Sequence, residues 1–271
     1  MTALLLWGCM LLAYGPPAVF FLLYVGRRSA LLLACLVAAL FLWAALLCTS
    51  LLWWMVPPLR GQASYPLIVG VLFTEIFRYA LLLLYVRADR AMERLGRPQR
   101  PRLLNDLAGG LSLGLGFGLM ASIMGSGALL SLAGSTAAWY RLPECPALNA
   151  HALAAGSALL QCALHVATMP LALDALRRWT VARAAGAPGY VAASRVLAPG
   201  ALHLAFSLAG LIASAGSLTN ACTAVLPLQL LLVCAGAGAA RAAAMRPDFV
   251  GTRQVKAWEA VARRLRDEGR Q

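Results

Sequence analysis

The chain has 271 residues, of which 61% are hydrophobic and only 12% charged, and its mean hydropathy is +0.76. That balance excludes an ordinary water-soluble domain as the body of the chain and requires lipid as solvent. The formal net charge of +13 does not point to nucleic acid, because the arginines fall between apolar runs and in the tail, where they determine topology.

A helix needs roughly 20 largely apolar residues to span hydrocarbon. The first such run, Ala3–Val25, has no basic residue before it and is followed by Arg27 and Arg28, so it reads as a retained span and not as a signal peptide. Leu31–Val56, Tyr65–Val86, Leu107 to about Leu132, His151–Leu176, Val196–Ser214 and Ala221–Ala244 follow. These runs predict an all-α polytopic membrane fold, one seven-helix transmembrane domain over residues 1–244. The outer end of the fourth run, before Trp139, has no boundary that the sequence fixes.

Orientation follows from the connecting segments. Arg27 and Arg28 lie in the first, six arginines from Arg87 to Arg102 in the third, and Arg177, Arg178, Arg183 and Arg195 in the fifth, whereas the even-numbered segments hold only Arg60 and Arg141. Translocated short loops are depleted in Lys and Arg, so the odd loops and the tail are expected in the cytosol and the N-terminus in the lumen or outside the cell. In the basic tail, residues 245–271, Val255, Trp258, Val261 and Leu265 share one helical stripe. Two readings stay open there, a helix lying along the membrane surface and a frayed polar end.

Seven cysteines are an odd number, and Cys9, Cys35, Cys48, Cys162 and Cys234 sit inside apolar runs without CxxC spacing. A disulfide scaffold or zinc ribbon is not expected. Cys145 and Cys222 are placed to meet on the outer side, although nothing in the sequence says that they pair.

Each ionisable residue inside a span needs a partner or a cavity, since a charge at the centre of a membrane helix costs on the order of 2.5–3.5 kcal/mol. Glu75 and Arg78 stand three apart in the third run, toward its cytosolic half, and project from one helical face. They are either an anchor or polar site for a neighbouring helix or a self-neutralised pair that pins rotation. His165 lies within the fifth run, Asp174 nearer its cytosolic end, and His203 in the sixth. Two imidazoles on adjacent helices can bond each other, line a polar cavity, hold a metal or serve as acid and base, and spacing settles none of these. No third ligand stands nearby for a metal, and no cofactor is expected. In the fourth run Gly110, Gly114 and Gly118 form two overlapping GxxxG units, a smooth face on which another helix can approach to backbone contact. That helix belongs either to a partner or to this same chain.

At these residues the sequence resembles the anterior-pharynx-defective family, the seven-span scaffolding subunit of γ-secretase. The resemblance begins with the Tyr14-Gly15-Pro16 turn, the Phe41 to Trp43 aromatics and the Trp53-Trp54 pair. It is most specific at Thr74-Glu75-Ile76-Phe77-Arg78-Tyr79, followed by Ala88-Asp89, the tandem glycines, His165 with Asp174, and His203 after a small-residue turn. Pro17 and Pro170 within spans, alanine-rich helices and the unmatched tail depart from the family pattern.

The resemblance implies a non-catalytic role, with Gly110, Gly114 and Gly118 in subunit assembly and Glu75, Arg78, His165, Asp174 and His203 as buried polar structure. It implies presenilin-like, nicastrin-like and presenilin-enhancer-like partners, processing of type I membrane proteins such as Notch, and residence in endoplasmic reticulum, Golgi and plasma or endosomal membranes. The residues agree on one point, for Asp106 and Asp174 lie at helix ends and do not form the intramembrane aspartate pair that such proteolysis uses. The competing enzyme reading is an intramembrane glutamyl or metallo-type peptidase using Glu75, His165 and His203. A receptor or transporter has seven spans in its favour but no motif or internal repeat.

Overall fold

The computed structural model describes residues 2–59, 62, 64–94, 106–131, 149–184, 189–214 and 221–245. Among them the regular structure is helical: α1 (Thr2–Phe20), α2 (Ser29–Met55), α3 (Ser64–Arg94), α4 (Asp106–Ser131), α5 (Ala150–Ala184), α6 (Gly189–Ser214) and α7 (Ala221–Ala244). Six of these are long and apolar enough to cross a membrane, while the apolar stretch of α6, Val196–Leu211, is shorter. The chain is thus a multi-pass integral membrane protein. The tail helix, the Cys145 and Cys222 pairing and the end of the fourth span past Ser131 lie outside the described residues.

Helices overrun the apolar runs because a helix has no reason to stop where hydrocarbon does. α3 continues past Val86 to Arg94, α5 past Leu176 to Ala184, and α6 begins at Gly189. Where the α5 overrun begins, Arg178 reaches back one turn to the buried Asp174, bonded at 2.9 Å, the spacing that lets side chains on one helix face pair. At its start Asn149 caps α5, its Oδ1 accepting from the His151 amide at 2.8 Å. Within the apolar part of α3, Ser64–Asp89, Glu75 and Arg78 fall near the middle of the sequence.

The expected turns at Tyr14-Gly15-Pro16 and before His203 are not turns. α1 runs through Pro16 and Pro17, and α6 through Pro199 and Gly200. Proline in a membrane helix is tolerated where neighbouring groups or local adjustment answer the freed carbonyls. α1 makes such an adjustment past its prolines, ending in a wider π turn, Phe21–Val25, closed by the Gly26 amide on the Phe21 carbonyl at 2.7 Å.

α4 and α5 form the centre. Over an 18-residue apolar stretch of each, 67% and 61% of residues are buried within the chain, against 17% in α1 and in α7. The flanking helices turn large apolar side chains outward, among them Leu4, Trp7, Leu33, Leu40, Leu72 and Leu231. An outer surface this apolar suits lipid and would be a liability in water.

Lipid removes the hydrophobic drive between helices, so association rests on close packing and polar contacts. Both are visible on α4. A methyl group added at Gly110 would lie 3.0 Å from Pro170 Cα, one at Gly114 2.7 Å from the His165 carbonyl and Val166 Cα, and one at Gly118 2.8 Å from the Cys162 carbonyl. The tandem glycine face is therefore occupied by α5 of this same chain, antiparallel to α4. Gly116 on another face meets the Cys35 backbone of α2. Serine hydroxyls reinforce both contacts: Ser112 donates to the Leu31 carbonyl at 2.5 Å, and Ser122 to the Ala158 carbonyl at 2.7 Å.

Candidate functional site: a buried charge and imidazole cluster

Three helices bring their costliest residues to one place, each using a pair three residues apart on one face. α3 supplies Glu75 and Arg78, α5 His165 and Thr168, and α6 Gly200 and His203. Arg78 is fully buried, and so are His165, Thr168 and His203.

The guanidinium of Arg78 is the hub. Its Nη2 lies 3.2 Å from Glu75 Oε1 and donates to His165 Nδ1 at 2.8 Å, while Nη1 donates to Thr168 Oγ1 at 3.2 Å. The Thr168 hydroxyl in turn donates to the Leu164 carbonyl at 2.8 Å. Beneath the guanidinium lies Phe117 of α4, with Arg78 Cζ 5.7 Å from the ring centre, a cation over an aromatic face. A guanidinium only donates, so Nδ1 of His165 accepts and the proton of its neutral ring resides on Nε2.

Glu75 is held by a second donor, for His203 Nδ1 lies 2.8 Å from the same Oε1. Gly200, one turn before His203, stands beside the same carboxylate: a methyl group there would sit 3.4 Å from Glu75 Cγ, at the edge of ordinary contact. The neighbouring Tyr79 hydroxyl donates to the Val196 carbonyl and ties α3 to α6 again. The imidazoles of His165 and His203 do not bond each other. They meet edge to face with ring centres 4.8 Å apart, and His165 meets Phe117 similarly at 5.4 Å.

Glu75, Arg78, His165 and His203, expected from the sequence as costly polar residues, thus form a single cluster. Asp174 does not join it. It lies nine residues beyond His165, about 13 Å along the helix, and is bonded by Arg178. Thr168 and Gly200 were not foreseen, yet each had a signal: a hydroxyl or a missing side chain one turn from a membrane histidine.

The cluster's chemistry is that of a self-neutralising clamp. Glu75 and Arg78 cancel in charge, and both hold groups from other helices. Among the described residues no three His, Cys, Asp or Glu side chains stand where they could share a metal ion. Capacity for further polar contact remains, since Glu75 Oε2, Arg78 Nε and His165 Nε2 are buried with no hydrogen-bond partner among those residues.

The sequence model of the family described as "Aph-1 protein" matches residues 4–246. The chain is 26% identical to the gamma-secretase subunit Aph-1 of Drosophila melanogaster, over 43% of this chain and 48% of that one. It is 29% identical to the gamma-secretase subunit Aph-1b of Danio rerio, over 45% and 50%, and 25% identical to the gamma-secretase subunit APH-1B of Homo sapiens, over 45% and 51%. The chain spans about half the length of the curated relatives it matches. The resemblance first seen at Glu75, Arg78 and the tandem glycines extends through every helix described above, and the chain belongs to the Aph-1 family.

Proposed function

We propose that the chain is a non-catalytic assembly subunit of a γ-secretase-type intramembrane aspartyl protease, holding presenilin-like, nicastrin-like and presenilin-enhancer-like subunits together for the processing of type I membrane proteins. The observation that carries this reading is the family match over residues 4–246. The cluster supports it: Arg78 and Glu75 Oε1 join α3, α5 and α6, which gives Glu75 the part of a countercharge within the bundle. The N-terminus faces the lumen or exterior and the tail the cytosol, with all seven helices crossing, in membranes from the endoplasmic reticulum and Golgi to the cell surface or endosomes.

Gly110, Gly114 and Gly118 serve assembly indirectly in this reading. They seat α4 on α5, and partners meet the outer surface that this core supports. Purification of the tagged chain in mild detergent should recover a presenilin-like protein by mass spectrometry. Recovery of no membrane partner, or peptide cleavage by the chain alone that disappears in Glu75→Gln, would sink the proposal.

A further inference from the structure

Along one side of the bundle, α1, α4, α5 and α7 leave a groove of about 650 Å³ open between them, within the range of about 300–1,000 Å³ usual for small-molecule sites. Its walls are aliphatic and aromatic, and Arg241 is the one charged side chain among the described residues that line it. On α5 the lining runs from Leu159 to Pro170 and on α7 from Val233 to Ala244, in each case about 16 Å of helix. One leaflet of a bilayer has about 15 Å of hydrocarbon. The groove is therefore as long as one leaflet is deep, and its cation stands at one end, in the last turn of α7.

Topology alone explains why a basic residue stands near the end of an apolar run, but not why that residue lines a groove. Arg241 is exposed, and no carboxylate among the described residues pairs with it. An apolar slot one leaflet long with a cation at its end has the complement of an amphiphile, and basic pockets between membrane helices on the cytosolic side bind anionic headgroups. From this geometry we infer that the groove binds an anionic glycerophospholipid, one acyl chain lying along α5 and α7 and the headgroup phosphate on Arg241. The inward orientation proposed above makes it a lipid of the cytosolic leaflet, and the site itself does not depend on the assembly role.

Native mass spectrometry of the full chain in mild detergent, with phosphatidylserine or phosphatidylcholine added, tests this directly. The expected result is a single phospholipid adduct that favours phosphatidylserine about fivefold, the ratio given by ~1 kcal/mol for one basic residue near the membrane surface. Arg241→Gln should abolish the preference while keeping an adduct. Ala237→Trp, at an exposed position of the lining, should abolish the adduct with melting unchanged. Equal retention of both lipids by the unaltered chain, or a persistent adduct in a well-folded Ala237→Trp protein, overturns the inference. So does cross-linking of Ala237→Cys to a partner's transmembrane helix in the assembled complex. Should Ala237→Trp fail to fold, the Arg241→Gln comparison decides alone.

Discussion

The glycine seam between α4 and α5 and the charge cluster joining α3, α5 and α6 grip the same stretch of α5 from two sides by opposite means. The seam removes side chains until backbones touch, with Gly114 against the carbonyl of His165 itself. The cluster brings in charge and satisfies it, with Arg78 on the other side of that residue at His165 Nδ1. Phe117 joins the two, since α4 seated by its glycines places this ring against both His165 and Arg78. Dispersion at a seam is many small terms that vanish together if the backbones part. A buried ion pair is a few large terms of opposite sign that can be removed together at little net cost.

The difference predicts which damage can be repaired. Gly114→Leu has the largest expected effect, because the added carbon meets backbone on α5 that cannot rotate away. Overpacking costs about 1–3 kcal/mol where side chains can yield, and here the cost should exceed that range, seen as loss of the monodisperse folded species on size exclusion in detergent. No single change on α5 should rescue it, as the clash is with main chain. Wild-type elution and melting would break the proposed seam.

Arg78→Met should come next. It strands the Glu75 carboxylate in a buried site, and breaking a buried pair from one side costs about 3–5 kcal/mol. The double variant Glu75→Gln with Arg78→Met should recover much of that loss, measured as a coupling energy in a double-mutant cycle of thermal melts. Additive losses would show that the two residues do not act as a pair.

Much of this contrast was legible in the sequence, and the rest was hidden for a physical reason. A charge within an apolar run and a glycine repeated every fourth residue are improbable by composition, so Glu75, Arg78 and Gly110, Gly114 and Gly118 announced themselves. What the glycine face met was not announced, because a smooth face fits a foreign helix and a helix of the same chain equally well. Thr168 and Gly200 gave only the weak signal of standing one turn from a histidine, and Ser112 gave none, since small residues are ordinary in membrane helices until a neighbour gives them a partner. Helix ends were misjudged because hydropathy marks where hydrocarbon stops, while α3 and α5 continue into water on ion pairs.

One of those ion pairs sharpens the comparison at its weak end. Arg177 Nη2 donates to Asp89 Oδ2 at 3.1 Å, joining α5 to α3 just as His165 and Thr168 join Arg78. The side chains here are 18% and 34% exposed, whereas that of Arg78 is fully covered. Water that reaches the pair solvates each charge when the partner is removed, so Asp89→Asn should cost only about 0–1 kcal/mol. With a Debye length of ~8–10 Å at physiological salt, that small cost should shrink further as salt rises, while the penalty of Arg78→Met should stay nearly constant. Melting both variants at low and high salt checks this directly. If the Asp89 variant matched the Arg78 variant in size and salt response, burial would not be what separates the clamp from an ordinary surface ion pair between the same two helices.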